Sequence, residues 1–220
     1  PYLVENQERL TAFYTELEAY LDRNRAAIAR GIASRDADVV VSRQSVHSTP
    51  ALIRQTLLPS VEGIAVRDLG MADNLDFILR ESFPGKKVVV WAHNFHVSHG
   101  SNVHPAQRRS MGSHVAERHR ADLYTIGLYS YRGRMRDNLF NVYPVLSPKP
   151  AGSLESILYR ARKRQLFVDL SRVERTPATE WMYAPTLAHS WGVNPDRVVP
   201  RDQYDGILFV DTTNPPTSVF

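Results

Sequence analysis

The chain has 220 residues, of which 43% are hydrophobic and 23% charged, as in ordinary globular proteins with one sizeable domain. The formal charge of +4 comes from scattered basic residues, which is not typical of a dedicated nucleic-acid-binding protein. The absence of cysteine excludes disulfides, thiolate metal sites and a cysteine nucleophile. No apolar run approaches the ~18 residues that span a bilayer, and the first residues do not form a signal peptide. We expect a cytoplasmic protein without nucleic-acid or membrane partners; its oligomeric state is not predicted by the composition.

The first third of the chain is predicted to be helical. Apolar residues at three- and four-residue steps predict one long helix over residues 2–32. A second helix is predicted over residues 37–57, although Pro50 should interrupt or kink it. A third helix is predicted over residues 64–82 and ends at a Phe-Pro-Gly turn.

The third helix has a face of mixed chemistry. Arg67, Met71 and Asn74 are separated by steps of four and three residues, so they lie on one side of the helix. Arginine and asparagine are rare on a face that is purely core. The pattern fits a helix beside a polar pocket as well as it fits an Arg67 salt bridge with an Asn74 cap on a neighbouring loop.

Residues 86–100 have the sequence KKVVVWAHNFHVSHG, and we expect the rest of the chain to be organised around this segment. The apolar run at 88–92 predicts a strand buried on both faces. His93, Asn94 and His96 follow where this strand should end. In open α/β folds, the carboxyl ends of the strands usually carry the chemistry.

The second half of the chain alternates short apolar segments with helical ones. The predicted elements are a loop at 100–109, a helix at 110–120, a strand at 123–131, an irregular stretch at 133–150, a helix at 153–163, a strand at 165–170, a mixed stretch at 171–203 and a strand at 206–211. This alternation predicts an α/β fold, namely a three-layer α/β/α domain with a mostly parallel sheet and long N-terminal helices. We divide it into a helical segment, residues 1–63, that packs on the core, and an α/β region, residues 64–220.

The spacing of His93 and His96 leaves three hypotheses open. One histidine could be a general base, because an imidazole pKa of about 6.5 suits that role near neutral pH. The pair could instead ligate a divalent metal with a third carboxylate ligand, although this spacing alone does not support a metal and no cofactor is expected. Both could also be hydrogen-bonded structural residues. The sequence has no nucleophile elbow, phosphate loop, dinucleotide loop or zinc-protease motif.

Several segments together resemble the erythromycin esterase family. The resemblance begins with RDLGMADNLDFIL at 67–79 and KVVVWAHNFHVSHG at 87–100. Four shorter matches follow in the same order, namely Met111-Gly112, Tyr124-Thr125-Ile126-Gly127, Gly152-Ser153-Leu154-Glu155 and Tyr204-Asp205-Gly206-Ile207-Leu208-Phe209. The matches extend over much of the chain, whereas the first 60 residues resemble the family less sharply.

The resemblance implies hydrolysis of a small-molecule carboxylic ester, which is a macrolide lactone for the named members of the family. Some relatives are associated with polysaccharide (succinoglycan) biosynthesis instead. It also implies attack by water that a histidine activates, without a serine acyl-enzyme. By the same resemblance, His93 and His96 are the catalytic residues. The residues expected to bind the substrate are Arg67, Met71, Asn74, Asn94, Met111 and Glu155.

One departure from the family pattern matters for the mechanism. The family carries a Gly-Glu-x-x-His motif in its N-terminal half, and this motif supplies the histidine usually taken as the water-activating base. Residues 1–220 contain no such motif, so we expect the chain to hold a C-terminal portion of the fold and part of the site. Two alternatives to the esterase hypothesis are a metal-assisted hydrolase of another substrate and a non-catalytic binding module.

Overall fold

The chain is a mixed α/β protein that divides into two compact units. The computed structural model describes residues 2–31, 36–100, 109–137 and 139–215. The first unit comprises Pro1–Trp91 with Arg109–His114, and the second comprises Ala92–Arg108 with Val115–Phe220. The division at residue 63 that the sequence suggests stays a prediction.

Long helices dominate the first unit, as predicted. They are α1 (Tyr2–Gly31), α2 (Asp36–Leu57) and α3 (Ser60–Phe77), which continues into a π-helical turn, Ile78–Ser82. The prediction that Pro50 interrupts the second helix is wrong, because α2 runs through this residue without a break. A kink at Pro50 stays a prediction. No helix in the described part of the chain is long and apolar enough to cross a bilayer.

The prediction of a buried strand over residues 88–92 is also wrong. Residues 86–93 have no regular secondary structure, and the apolar side chains are not buried. Val89 is 88% exposed and Trp91 is 84% exposed. The physical reason is that β-branched and aromatic residues favour an extended backbone, whereas a strand exists only where a neighbouring strand pairs with it. No described strand pairs with this segment.

The remaining elements agree with most of the predicted positions. In chain order they are α4 (Asn94–Val97), α5 (Met111–His119), a 3₁₀ turn (Arg120–Asp122), β1 (Ile126–Arg136), β2 (Val142–Pro144), α6 (Leu154–Tyr159), β3 (Gln165–Asp169), a second 3₁₀ turn (Glu180–Met182), β4 (Thr186–Ser190), β5 (Asn194–Val198), α7 (Pro200–Gln203) and β6 (Gly206–Thr213). The loop predicted at 100–109 lies mostly outside the described residues. The mixed stretch at 171–203 contains an unpredicted hairpin, in which β4 pairs with β5.

The main sheet has the strand order β2-β1-β6-β3, and its direction corrects the prediction of a mostly parallel sheet. Among the described strands, β1 and β6 alone are parallel, with Ile126 opposite Gly206. Strands β2 and β3 run antiparallel to their neighbours. The error arose because an apolar run indicates that a strand is buried, but contains no information on its direction.

One face of this sheet carries the core of the second unit. Tyr129, Ile207 and Phe209 are buried there in a cluster with Leu154 and Leu158 of α6. The alternate residues of the same strands point to the opposite face, as the period of a strand requires. On that face Leu128, Phe167 and Leu208 are exposed. The predicted third layer therefore stays a prediction.

Asp205 joins three strands at one end of the sheet. Its carboxylate accepts a hydrogen bond from the Thr125 N–H at 2.8 Å and one from the Arg120 guanidinium at 2.5 Å. Its backbone N–H donates to the Thr125 carbonyl, and its own carbonyl accepts from Leu170 N–H, each at 2.8 Å. Asp205 is almost fully buried, so these contacts replace its hydration. They fasten the starts of β1 and β6 to the end of β3.

Replacing Asp205 with alanine should lower the free energy of unfolding by about 2–3 kcal/mol, because the buried Thr125 N–H loses its side-chain acceptor. Urea unfolding followed by circular dichroism measures this change. The matched control is Asp122→Ala, at an exposed aspartate, which should cost less than about 0.5 kcal/mol. Equal effects of the two substitutions would contradict an anchoring role for Asp205.

Candidate functional site

His93 lies at the N-terminus of the short helix α4 and caps it. Its backbone is extended, and its Nδ1 accepts a hydrogen bond from the Phe95 N–H at 3.2 Å. An imidazole nitrogen that accepts a hydrogen bond carries no proton, so the neutral ring carries its proton on Nε2. His93 is therefore held as a hydrogen-bond donor at Nε2.

The ring of His93 stacks on the indole of Trp191. The ring centroids are 4.9 Å apart and the planes are inclined by 24°. Burial lowers the pKa of His93 below its ordinary value, and the charge of His96 lowers this pKa further. The ring is therefore neutral at pH 7, which preserves both the accepting Nδ1 and the donating Nε2.

His96 lies in the same helical turn as His93. It is three residues further along, a spacing that brings two side chains to one side of a helix. The ring of His96 makes an edge contact with Phe95, at a centroid distance of 5.2 Å. Because the charge of His96 affects the pKa of His93, the structure brings the two predicted catalytic residues close together.

Asn94 attaches α4 to the sheet. Its side-chain Oδ1 accepts from the Leu128 N–H at 2.9 Å, and its Nδ2 donates to the Leu128 carbonyl at 2.8 Å. The amide thus makes the pair of hydrogen bonds that a neighbouring strand would make to this edge of β1. The predicted role of Asn94 in substrate binding stays a prediction.

Glu155 is fully buried in α6 and makes two contacts with His189. Its Oε1 accepts from the His189 N–H at 2.7 Å, and its Oε2 lies 3.2 Å from Nδ1 of the same histidine. A carboxylate can only accept, so the imidazole donates from Nδ1. Glu155 thus fixes both the backbone and the ring of His189. Its predicted contact with substrate stays a prediction.

Three predicted binding residues of the first unit line one cleft. Arg67, Met71 and Asn74 face a cavity of about 290 Å³ that α2 and α3 enclose. The Asn74 side-chain oxygen accepts hydrogen bonds from Gln44 at 2.8 Å and Ser48 at 2.9 Å. Arg67 is exposed in this cleft. The helical spacing of these residues therefore predicted their common surface correctly.

Met111 begins α5 and is buried in the first unit. Its backbone N–H donates to Oδ2 of Asp68 at 3.2 Å. Asp68 is itself fully buried, so the contact ties the start of α5 to the middle of α3. The predicted role of Met111 at the substrate is not tested by this placement.

Sequence reasoning assigned no role to His99, His189 or Trp191. The side chain of His99 is 9% exposed, with its Nε2 3.6 Å from Oδ2 of Asp205. Gly100 follows it so closely against α7 that a Cβ atom would lie 1.8 Å from the Asp202 carbonyl oxygen. In the sequence, Gly100 could have indicated a close backbone approach next to His99, and Gly192 could have indicated a turn next to Trp191.

A metal site is not evident from the side chains. Among the described residues, no group of three or more histidine and acidic side chains is arranged to hold a metal ion. His93 and His96 therefore have no described third ligand of this kind.

Comparison with known proteins relates the chain to one family. The model of the erythromycin esterase family matches residues 3–213. One relative is YbfO of Bacillus subtilis, a protein named as an inferred hydrolase. It is 34% identical to this chain over 157 residues, and the match covers 68% of this chain and 35% of YbfO.

Solved structures share the fold. A Bacillus cereus protein matches 98% of this chain and 54% of its own with a TM-score of 0.79 and 18% identity. An erythromycin esterase, EreC, in its open conformation and with a histidine replaced by asparagine, matches 96% of this chain and 54% of its own, with a TM-score of 0.65 and 17% identity. A succinoglycan biosynthesis protein matches 96% of this chain and 53% of its own, with a TM-score of 0.68 and 17% identity. The chain spans about a third of YbfO and about half of these structures.

The depressed pKa of His93 predicts a loss of stability in mild acid. The unfolded chain binds a proton at His93 below about pH 6.5, whereas the folded chain resists protonation there. The free energy of unfolding should therefore fall as the pH drops below about 6.5 and through the lower folded pKa. His93→Gln should flatten this slope in urea unfolding between pH 7.5 and pH 5 relative to the unchanged chain.

His99 provides the internal comparison, because burial also lowers its pKa. The double variant His93→Gln, His99→Gln should flatten the slope more than either single variant. NMR titration of the imidazole signals gives the His93 pKa directly. A slope that His93→Gln leaves unchanged would contradict a partly buried, neutral ring at His93.

Proposed function

Because the chain belongs to the erythromycin esterase family, we propose that it acts in the hydrolysis of a carboxylic ester or macrolactone, with His93 and His96 at the reacting group. Its hydrolase character is supported by the family and by YbfO. The choice of an ester bond is supported by the chemistry that His93 can perform.

The observation that carries this proposal is the tautomer of His93. With Nδ1 occupied by the Phe95 N–H, the neutral ring presents an N–H donor at Nε2. Attack of water on an ester carbonyl places negative charge on the carbonyl oxygen, and a fixed donor stabilises that charge. A ring that is already protonated on Nε2 cannot take a proton there, so His93 is better suited to bind the oxyanion than to activate water.

His96 is assigned the proton transfer in this proposal. The oxygen of water forms a bond to the carbonyl carbon and releases a proton to a base. The bond from the same carbon to the ester oxygen then breaks, and the proton passes to the departing alkoxide. The products are an acid and an alcohol, and no oxidant, reductant or covalent intermediate is needed.

His93→Asn is the sharpest variant for this hypothesis. Asparagine is a good helix cap, so its side-chain oxygen can still accept from the Phe95 N–H, but the Nε2–H donor is lost. We expect kcat to fall about 100-fold with little change in KM, the cost of removing one oxyanion donor. The assay is hydrolysis of p-nitrophenyl acetate and of erythromycin by the protein expressed from its complete gene.

His96→Ala should lower kcat by a similar factor, because it removes the group that accepts the proton from water. His119→Ala, at the end of α5, is the control and should retain activity. A loss of less than about threefold for both His93→Asn and His96→Ala would remove these residues from catalysis. Activity that EDTA abolishes and added Zn²⁺ restores would favour the metal-assisted alternative.

Arg67 is proposed to bind an acidic group of the substrate. It is an exposed guanidinium in a cleft lined by polar side chains, and such a group pairs well with a carboxylate. Arg67→Gln should raise KM about 10-fold for an ester that carries a free carboxylate, and much less for a neutral ester. Arg67→Lys should recover part of the loss, whereas equal effects on both esters would rule out charge recognition.

The alternative to an enzyme is a binding module without catalytic activity. Such a protein would bind an ester tightly but would not hydrolyse it. The cytoplasmic location and the small-molecule partner stay predictions.

A further inference from the structure

The β4–β5 hairpin ends in a turn with an unexpected residue. Trp191 and Gly192 have successive positive φ angles of 56° and 71°. The turn is closed by the Val193 N–H, which donates to the Ser190 carbonyl at 3.2 Å. Turns with two positive φ angles strongly favour Asn-Gly, because asparagine tolerates this backbone and bulky residues do not. A tryptophan at the first position is therefore strained.

Buried charged side chains hold this turn in place. Lys149 donates from Nζ to the Gly192 carbonyl at 2.5 Å, and the Leu146 N–H donates to the same oxygen at 3.1 Å. Two residues before Trp191, Glu155 holds the backbone and ring of His189. Lys149 is 5% exposed and Glu155 is 0% exposed. Burying an ammonium and a carboxylate is costly, so contacts of this kind are rarely made to hold an ordinary surface turn.

The turn that these side chains hold makes a ring contact with His93. The turn presents the indole of Trp191 to His93, where the two rings stack at 4.9 Å. A hairpin needs neither a tryptophan in a left-handed conformation nor a buried lysine and glutamate to close. Backbone strain that surrounding structure maintains is typical of functional sites.

We propose that Glu155, Lys149 and Trp191 are positioning residues that fix the orientation of the His93 imidazole. Glu155 acts through His189 on one side of the turn, and Lys149 acts on the Gly192 carbonyl on the other. Trp191 then sets the plane of the His93 ring, while the Phe95 N–H sets its rotation within that plane. Glu155 consequently influences the reaction without touching the substrate.

The orientation of His93 is measured without any assay of catalysis. Protons above the face of an indole are shifted upfield in NMR spectra, so the Hδ2 and Hε1 signals of His93 report the stack. Trp191→Leu should abolish this upfield shift, whereas Trp191→Phe should retain much of it, because phenylalanine also stacks. His93→Asn identifies the signals by their loss.

Glu155→Gln is the decisive variant. An amide cannot accept hydrogen bonds through both of its terminal atoms, so the clamp on His189 weakens and the turn should shift. The His93 signals should then move towards their positions in the Trp191→Leu variant. Glu174→Gln, at an exposed glutamate, is the matched control and should leave them unchanged.

Two further variants keep the test decisive if Glu155→Gln fails to fold. Gly192→Ala introduces a Cβ at a positive φ angle, 3.0 Å from a methyl carbon of Val145, and should displace the turn. Lys149→Met fills the same space but cannot donate to the Gly192 carbonyl. The proposal is overturned if the folded variants keep the His93 signals at their original positions.

The inference about catalysis depends on the proposed function, but the inference about geometry does not. If the unchanged protein hydrolyses esters, Trp191→Leu should lower kcat about 10-fold with KM unchanged, and Trp191→Phe should restore most of the rate. A lost upfield shift with an unchanged kcat would overturn the positioning role. An inactive unchanged protein would count against the proposed function alone, and the NMR signals would still decide the geometry.

Discussion

The side-chain amide of Asn94 is the contact that gives the histidines a fixed place on the sheet. Helix α4 is a single turn, and so short a helix has too few internal hydrogen bonds to be stable by itself. Its position must therefore come from tertiary contacts. Asn94 provides one by pairing both of its polar groups with Leu128 at the edge of β1. His93 on one side of this contact and His96 on the other are consequently held beside a rigid strand.

The helices could be predicted because apolar spacing is a local property of the sequence. The sheet could be predicted only in part. Apolar spacing in residues 2–31 and 60–77 reports which face of a helix is buried, whatever lies against it. Strand direction and pairing depend on distant residues. Val89 and Trp91 have the residue types of a strand but no described partner. The β4–β5 hairpin has partners but a weak signal, since β5 contains Pro195 and carries few β-branched residues.

The candidate site shows the same division between local and distant information. The pairing of His93 with His96 could be predicted from a sequence motif. Its support by Trp191 could not, because the two rings come from segments about 100 residues apart along the chain and no periodicity connects them. Glu155 illustrates this most clearly. The sequence marked it as a substrate-binding residue, whereas its contact with His189 is visible only in the structure.

The electrostatic state of the site follows from this arrangement. An exposed imidazole exchanges between two tautomers and a cation near pH 7, so it can serve as donor or acceptor. The Phe95 N–H selects one tautomer of His93, and burial of the ring disfavours the cation. Both effects leave the same species, a neutral ring that donates from Nε2. A donor that cannot readily change its protonation state stabilises charge well but transfers protons poorly, which is why the proposed hydrolysis assigns the proton transfer to His96 and not to His93.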